Sequence, residues 1–291
     1  MKKILLLLIF LSLSVGCATT RVNKLSKNLS PLIEDAIRNI DPNVNIGIKI
    51  TSLDNDKVIF ERNADRNFVP SSTLKIITIA AALHYLGPSF RYKTGIYTDS
   101  FSDHTLKNLY LKGSGVPSLM DFDLVNLVSE LKQMGIAEVE GDIFVDDSIF
   151  DDQLWSSGSM WDDRDRGFAA PVMAINLNYN RLLIKTVPGQ KESHKAHSLL
   201  SPNTSFIDVD ARAATKKSGN GKNLSFLVDK DKSRQLSIDG IHKGDKIIIE
   251  GHTSRSQSPH YHLLAINDPS IFAGTFLKDE LKKHGIKVNG T

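Results

Sequence analysis

The segment from Thr73 to Leu86 places the strongest constraint on how this chain can fold, because it is apolar on almost every side. It contains no helix-breaking residue, and its centre reads IITIAAAL. Gly87 follows at a position where helices often end on glycine, and Pro88 prevents the helix from continuing. A helix that is apolar all round is buried. The sequence therefore predicts a central helix that other parts of the protein cover.

Ser72 and Lys75 lie at the beginning of this helix, in the sequence SSTLK. Residues three apart share one face of a helix, so the serine hydroxyl and the lysine amine can meet. The helix N-terminus adds free backbone N–H groups and the positive end of the helix dipole, which favour a developing oxyanion. A lysine accepts a proton only as a neutral amine, and burial favours that form. The pattern predicts that Ser72 is a nucleophile and that Lys75 activates it.

The same SxxK spacing occurs again at Ser129 and Lys132, within DFDLVNLVSELKQMG. There the apolar residues form one stripe with charged residues opposite, which is the ordinary pattern of a surface helix. We interpret this second pair as a solvated coincidence without a catalytic role. The stripe consists of Leu124, Val125, Leu127, Val128, Leu131 and Met134.

The first twenty residues, MKKILLLLIFLSLSVGCATT, have the basic, apolar and small-residue regions of a secretory signal. The apolar run is short for a transmembrane helix. Cys17 is the only cysteine, so no intramolecular disulfide can form. Its position after SVG leaves two alternatives open, which are simple cleavage and lipidation of Cys17 as a membrane anchor. Both alternatives place the mature protein outside the cytoplasm, in the periplasm.

We expect neither nucleic acid nor a metal ion as a partner, and no cofactor. The formal net charge is only +3, with 24% charged residues spread along the chain, which does not favour a polyanionic partner. The nine histidines are scattered without metal-ligand spacing, and no glycine-rich loop has the pattern that binds phosphates.

The rest of the chain mixes helical and strand patterns, which predicts an α+β fold. SPLIEDAIRNI, which begins at Ser30, is typical of a short helix. Residues 44–51 alternate apolar and polar side chains, as in a half-buried strand, and the turn DNDK leads into KVIFERN to make a hairpin. Between residues 96 and 260, short β-type runs alternate with polar turns.

Several segments together resemble the D-alanyl-D-alanine carboxypeptidase/endopeptidase family, the class C low-molecular-mass penicillin-binding proteins. The resemblance runs from about residue 44 to the last residue. The segments that carry it are LDNDKVIFERNADRNFVP, PSSTLKIITIAAALHYLGPSFRYKT, LYLKGSGVPSL, EGDIFVDDSIFDD, MWDDRDRGFAAPVMAINLNYN, VPGQ and DPSIFAGTFLKDELKKHGIKVNGT. It implies a penicillin-binding-protein/β-lactamase-like serine transpeptidase fold with a large β-rich insert.

The resemblance also implies a domain order, in which an SxxK box comes first, then the insert, then an SxN box and a KTG box. Residues 28–95 are then the N-terminal part of the catalytic domain, residues 96–260 the insert, and residues 261–291 a return to the catalytic domain. The family's own SxN and KTG boxes fall beyond the last residue. We therefore predict that the sequence is a fragment, incomplete at its C-terminus.

Three stretches spell the later boxes at positions that do not match the family order. Lys93-Thr94-Gly95 reads KTG, but it comes directly after the apolar helix, in what is predicted to be the next strand. Ser201-Pro202-Asn203 and Ser218-Gly219-Asn220 read SxN, but they lie in turn-rich segments where these residue types are common. We interpret all three as coincidences.

The activity that the resemblance implies is hydrolysis of peptidoglycan stem peptides by an acyl-enzyme at Ser72, which β-lactams also acylate. Lys75 takes the proton of Ser72, and Asp163 and Phe168 match the positions that hold the stem-peptide side chain, often diaminopimelate. For Asp163, a role in a turn is the alternative. Two other functions are a β-lactamase, against which the insert argues, and a non-catalytic peptidoglycan-binding or scaffolding protein, which the missing boxes favour.

Overall fold

Helices and strands are combined in two units of the chain. The computed structural model describes residues 27–217, 223–229 and 246–291. One unit ends at Phe90, and the other runs from Arg91 to Thr291. The mixed helical and strand content agrees with the predicted α+β fold. The signal region, Cys17 and Ser218-Gly219-Asn220 lie outside the described residues.

The first unit contains a hairpin between two helices. Its elements are α1 (27–40), β1 (Ile48–Thr51), β2 (Val58–Arg62), a 3₁₀ turn (Ser71–Thr73) and α2 (Leu74–Leu86). The two strands pair antiparallel, with Ile48 opposite Arg62. Arg62 also donates to the carboxylate of Glu34 in α1 at 2.7 Å, which ties the hairpin to that helix. The predicted hairpin is confirmed, although its first strand begins at Ile48 and not at residue 44.

The second unit is rich in strands. These are β3 (Gly95–Thr98), β4 (Phe101–Ser102), β5 (Thr105–Leu106), β6 (Leu109–Lys112), β7 (Glu138–Val139), β8 (Ile143–Asp146), β9 (Arg181–Val187), β10 (His197–Ser201), β11 (Asp208–Ala211), β12 (Ala214–Lys216), β13 (Asn223–Asp229), β14 (Lys246–Ser254), β15 (His260–Ala265) and β16 (Lys287–Val288). Its helices are α3 (Asp121–Gln133) and α4 (Pro269–Lys283). Short 3₁₀ turns span Trp161–Asp163 and Gly167–Ala169, and in the turn Leu177–Asn180 the residues Asn178 and Tyr179 have positive φ.

The strands of the second unit form separate small sheets. In one of them β6 lies in the centre, antiparallel to β3 and parallel to β8. A second has the order β16-β7-β5-β4, and a third has β9 between β10 and β15. In a fourth, β14 pairs with β11, β12 and β13. Helix α4 contacts β8, in the sheet that contains β6. Strand β16, which follows α4, pairs with β7 in the second sheet.

A hydrophobic core in the second unit lies where its helices pack on these sheets. β6 contributes Leu109 and Leu111, and α4 contributes Phe272, all three completely buried. Helix α3 turns Leu124 and Val128 into the same core, as the predicted apolar stripe requires. Burial of each such side chain stabilises the fold by about 1.5–3 kcal/mol, which makes this core the main source of stability of the unit.

The predicted domain boundaries at residues 95/96 and 260/261 stay predictions. The structure itself divides after Phe90, and it places β15 and α4 in the second unit together with the segment predicted as the insert. Within the described part of the chain, no helix is both long enough and apolar enough to cross a membrane.

One face of the sheet around β6 carries paired polar and aromatic side chains. Tyr110 of β6 stacks on Phe144 of β8 with 5.1 Å between ring centroids, and Lys112 pairs with Asp146 at 2.9 Å. The hydrogen bond from Lys112, with further bonds from Ser148, lowers the pKa of Asp146 from 3.8 to about 2. Cross-strand pairs of this kind stabilise neighbouring strands.

We predict that Lys112→Met raises the pKa of Asp146 towards its ordinary value, because the hydrogen bond from Lys112 is the largest cause of the lowering. Since the folded pKa is depressed, the stabilisation by this carboxylate is present above the unfolded pKa and is lost as the pH falls towards 2. An NMR titration of the Asp146 carboxyl carbon measures the shift. Lys107→Met, in the bend between β5 and β6, is the control and leaves the Asp146 titration unchanged. An unchanged titration in Lys112→Met contradicts the assignment.

Candidate active site

Ser72 and Lys75 meet at the start of α2. Ser72 lies in the 3₁₀ turn, and Lys75 lies in the first turn of the α-helix that follows without a break. Nζ of Lys75 donates to Oγ of Ser72 at 3.0 Å. A serine hydroxyl and an amine within hydrogen-bond reach are the arrangement that nucleophilic catalysis requires. The contact that the SxxK spacing predicts is present, whereas the catalytic roles of the two residues stay predictions.

The backbone holds Ser72 in a specific turn. Ser71 has a φ of 46°, in the left-handed region that residues other than glycine adopt at some cost. The N–H and the hydroxyl of Thr73 both donate to the carbonyl of Pro70, which closes the turn. Among the described residues, no side chain caps the N-terminus of the helix. The helix start therefore presents backbone N–H groups and a positive dipole end that are suited to an oxyanion.

Helix α2 has the predicted extent but not the predicted burial. It ends on Gly87, whose φ of 79° places this residue outside helical geometry and whose N–H donates to the carbonyl of Leu83 at 3.1 Å. None of the residues of α2 is buried, and Ile76 remains 68% exposed. The prediction of a buried helix is wrong for the described chain, because none of the described residues removes α2 from solvent. Ser72 and Lys75 are exposed as well.

Ser129 and Lys132 serve the packing of α3. Oγ of Ser129 donates to the carbonyl of Val125 at 2.9 Å, and Nζ of Lys132 donates to the carbonyl of Gly285 at 3.2 Å. Each side chain therefore bonds a backbone carbonyl and not the other side chain. This confirms that the second SxxK is no Ser–Lys pair, although Ser129 is half-buried and not fully solvated as the sequence suggested.

Two of the three stretches, Lys93-Thr94-Gly95 and Ser201-Pro202-Asn203, lie among the described residues of the second unit. The N–H of Lys93 donates to Oγ of Ser114 at 3.0 Å, and Gly95 opens β3 opposite Lys112. Ser201 is the last residue of β10, where it lies opposite Leu183 of β9. These positions are explained by strand formation, and their interpretation as coincidental boxes stays a prediction.

Asp163 and Phe168, the predicted substrate-binding residues, lie on two successive 3₁₀ turns of the second unit. The Asp163 carboxylate pairs with Arg166 at 3.2 Å, and the N–H of Arg166 donates to the carbonyl of Asp163 at 2.8 Å. Phe168 is 74% exposed, so its ring is accessible to a ligand. The structure therefore leaves both the turn role and the binding role of Asp163 open to test.

The arginines beside Asp163 are the residues of this region that the sequence reasoning missed. Arg166 neutralises Asp163 across a spacing of three residues, which is the contact distance of a helical turn. The guanidinium of Arg164 lies over the ring of Trp155, 4.6 Å from its centroid, and the Trp155 indole N–H donates to the carbonyl of Ala169 at 2.9 Å. The WDDRDRG pattern contained the signal, because an Asp-x-x-Arg spacing predicts such a pair wherever the backbone turns.

The two histidines of β15, His260 and His262, stack on the ring of Phe226. His262 stacks on Phe226 with 4.1 Å between ring centroids, and burial lowers its pKa, assisted by the nearby His260 and Arg166. Across the ranges that the structure describes, no group of three or more His, Cys, Asp or Glu side chains is placed to hold a metal ion. His260 and His262 are thus strand residues whose rings pack beside Phe226.

Comparison with known proteins identifies what the chain is similar to. A family model described as the D-Ala-D-Ala carboxypeptidase 3 (S13) family matches residues 25–291. A D-alanyl-D-alanine carboxypeptidase of Actinomadura sp. (strain R39) is 22% identical over 277 residues, which are 93% of this chain and 49% of that protein. The D-alanyl-D-alanine carboxypeptidase DacB of Haemophilus influenzae is 22% identical over 261 residues, which are 89% of this chain and 52% of that protein.

Two solved structures of penicillin-binding protein 4 (dacB) from Haemophilus influenzae have the same fold. One superimposes with a TM-score of 0.66 and 23% identity, over 84% of this chain and 52% of the other. The second, a complex with a novel β-lactam, gives a TM-score of 0.59 and 20% identity, over 85% of this chain and 50% of the other. The fold is thus that of a penicillin-binding protein, and the chain spans about half the length of the relatives it matches.

Proposed function

Because the chain belongs to the D-Ala-D-Ala carboxypeptidase 3 (S13) family, we propose that it is the nucleophile-bearing part of a serine-type D-Ala-D-Ala carboxypeptidase/endopeptidase of peptidoglycan. The observation that carries this proposal is the 3.0 Å contact between Lys75 Nζ and Ser72 Oγ at an uncapped helix N-terminus. Both residues lie within the part that the family model matches.

The proposed reaction begins with attack of Ser72 Oγ on the carbonyl between two D-alanine residues. Lys75, as a neutral amine, takes the hydroxyl proton and then passes it to the departing amine of the terminal D-alanine. The Ser72 backbone N–H supplies half of the oxyanion hole for the negative charge on the carbonyl oxygen. Water then attacks the acyl-enzyme, and the carboxylic acid product leaves. Ser72 Oγ attacks the carbonyl of a β-lactam in the same way and forms an acyl-enzyme with it.

The exposure of α2 supports the further proposal that this chain is incomplete as a catalyst. Each large aliphatic side chain of the helix would gain about 1.5–3 kcal/mol from complete burial, so an additional polypeptide has a strong driving force to cover it. The relatives are about twice as long as the portion that matches. In the proposed whole enzyme, that remaining portion buries the helix and supplies the SxN and KTG boxes.

Other functions have less support. A β-lactamase shares the Ser–Lys pair but would not need a second unit of this size. A non-catalytic peptidoglycan-binding or scaffolding protein is favoured by one observation, the exposure of Ser72 and Lys75, because an exposed pair is not arranged for catalysis. The labelling experiment described below separates this alternative from the enzyme.

The location of the protein is part of the proposal. A peptidoglycan substrate lies outside the cytoplasm, which agrees with the signal sequence that the first residues resemble. We propose export to the periplasm, with membrane attachment through a lipidated Cys17 as the alternative to simple cleavage.

The first functional prediction concerns the nucleophile. In a version of the protein that also carries the missing C-terminal portion, we expect radiolabelled penicillin to attach to Ser72. Ser72→Ala abolishes the label because it removes the hydroxyl that the Lys75 amine contacts at 3.0 Å. Ser129→Ala is the matched control from the second SxxK and leaves labelling unchanged. Mass spectrometry of the labelled peptide identifies the site, and label on another serine contradicts the proposal.

The chain of 291 residues by itself should be inactive. The contributions of groups that act together in a serine acyl-transfer site are strongly non-additive. We therefore expect loss of the SxN and KTG boxes to abolish the activity and not merely to reduce it. We expect negligible penicillin labelling of this chain and no release of D-alanine from a stem peptide above that of Ser72→Ala. Stoichiometric labelling of Ser72 in this chain would show that it is complete.

The third functional prediction concerns substrate selection by Asp163. If its carboxylate binds the free amine of a diaminopimelate side chain, Asp163→Ala lowers turnover of that peptide far more than turnover of a peptide with a neutral side chain. The ratio of the two kcat/KM values measures this effect in the complete enzyme. Arg166→Ala removes the competing partner of Asp163 and should not lower the ratio. Equal losses on both peptides in Asp163→Ala assign the residue to the turn.

A further inference from the structure

The sheet formed by β3, β6 and β8 has one face in the core and one open face. Successive side chains of a strand point to opposite faces, so Leu109 and Leu111 of β6 are buried while Tyr110 between them faces outward. Helix α4 lies on the buried side, where a Cβ atom added at Gly274 would be only 2.9 Å from the Val145 side chain. β6 and β8 are parallel, and parallel strands are usually covered on both faces. The open face is therefore a candidate for a ligand.

The open face carries a row of aromatic rings across its three strands. Tyr97 of β3 lies opposite Tyr110 of β6, and Tyr110 lies opposite Phe144 of β8, on which it stacks. The described residues leave Tyr97 57% exposed and Phe144 45% exposed. Three adjacent rings form a contiguous apolar patch, and a patch of this kind bordered by polar residues is typical of a binding site.

The next row of side chains on the same face completes a cavity. In that row Gly95 lies opposite Lys112, and Lys112 lies opposite Asp146. A cavity of about 380 Å³ is lined by Lys112 and Asp146 together with Tyr97 and Tyr110. This volume is within the range of small-molecule sites. A Cβ atom at Gly95 would lie 3.1 Å from the Tyr97 ring, so glycine at this position lets the ring lie close to β3.

The Tyr110 hydroxyl is oriented by a neighbouring carboxylate. It donates a hydrogen bond to Asp99, which raises the pKa of Tyr110 above its ordinary value. The side-chain amide of Asn108 donates to the same carboxylate at 2.6 Å and holds it in place. Because the hydroxyl proton is directed at Asp99, the phenol oxygen keeps the capacity to accept a hydrogen bond from a ligand.

The charged pair in the cavity also keeps hydrogen-bonding capacity. Oδ1 of Asp146 accepts from Ser148, whereas Oδ2 accepts from Lys112 at 2.9 Å and has a further lone pair. Nζ of Lys112 has further N–H donors. The two charges compensate each other, so the cavity favours a neutral ligand with hydroxyl groups over a phosphate or a cationic peptide.

We propose that this cavity and the aromatic row are a saccharide-binding site, which takes a neutral N-acetylated amino sugar of the peptidoglycan glycan strand. The choice of this sugar rests on the proposed function. The apolar C–H face of the sugar ring contacts the exposed Tyr97 ring, and a sugar hydroxyl donates to Asp146 and accepts from Lys112. Such a site holds the glycan strand independently of the stem peptide.

An NMR titration of the full chain with tri-N-acetylchitotriose, a β-1,4-linked trimer of N-acetylglucosamine without a peptide, tests the proposal. Tyr97→Ala removes the ring that contacts the sugar, and we expect it to raise the Kd at least about fivefold. Asp146→Asn keeps the shape of the side chain but loses a charge-assisted hydrogen bond, and we expect it to raise the Kd at least about tenfold. Tyr261→Ala is the matched control, because Tyr261 is 56% exposed and lies near Lys185 on another sheet. It leaves the Kd unchanged.

Three results overturn the proposal. The first is no measurable binding of the trimer, or a Kd that is the same in Tyr97→Ala as in the unmodified chain. The second is binding of a sugar-free stem peptide that Tyr97→Ala weakens, which assigns the face to a peptide. The third is a dimer in analytical ultracentrifugation that Tyr97→Ala dissociates, which assigns the face to a second copy of the chain. If Asp146→Asn does not fold, Tyr97→Ala decides alone. The trimer has no D-Ala-D-Ala bond and the titration contains no penicillin, so failure of Ser72 labelling and failure of this proposal are distinguishable.

Discussion

The need to cover the apolar helix α2 is the constraint on which the interpretation of this protein depends. The helix has no polar face, and the described residues leave it exposed to solvent. Such a helix is stable in water only with a partner surface, because the hydrophobic effect acts on every side of it. The same helix carries Ser72 and Lys75, so the surface that stabilises the helix is also the surface that would set the chemistry of the pair.

The second unit differs from the first because it buries many of its hydrophobic side chains in a core of its own. Completely buried side chains from β6, α3 and α4 form one core, and the small sheets pack around it. The carboxylate of Asp279 on α4 accepts three hydrogen bonds from Thr204 and Ser205, which connects the helix to a distant loop. This packing supports the two 3₁₀ turns of the same unit that carry Asp163 and Phe168.

Local patterns predicted local structure well in this chain. The hairpin, the glycine at the end of α2 and the amphipathic face of α3 each follow from side-chain period and turn residues, and each is present. The burial of α2 could not be predicted correctly from the sequence. Apolar residues on every side show that a helix needs a partner surface, but they do not show which polypeptide provides that surface. The pairing of Asp163 with Arg166 was missed because the Asp-x-x-Arg spacing brings the two side chains together only where the backbone turns, as it does between these residues.

The uncapped beginning of the helix with Ser72 illustrates a compromise between folding and reactivity. A side-chain oxygen at that position would accept from the first backbone N–H groups and stabilise the helix by about 1 kcal/mol. In the proposed role, the same oxygen would compete with the substrate for those donors and repel its developing negative charge. A mutation that adds a cap would then produce a more robust protein and a slower enzyme, which is the trade-off often found when active sites are engineered for stability.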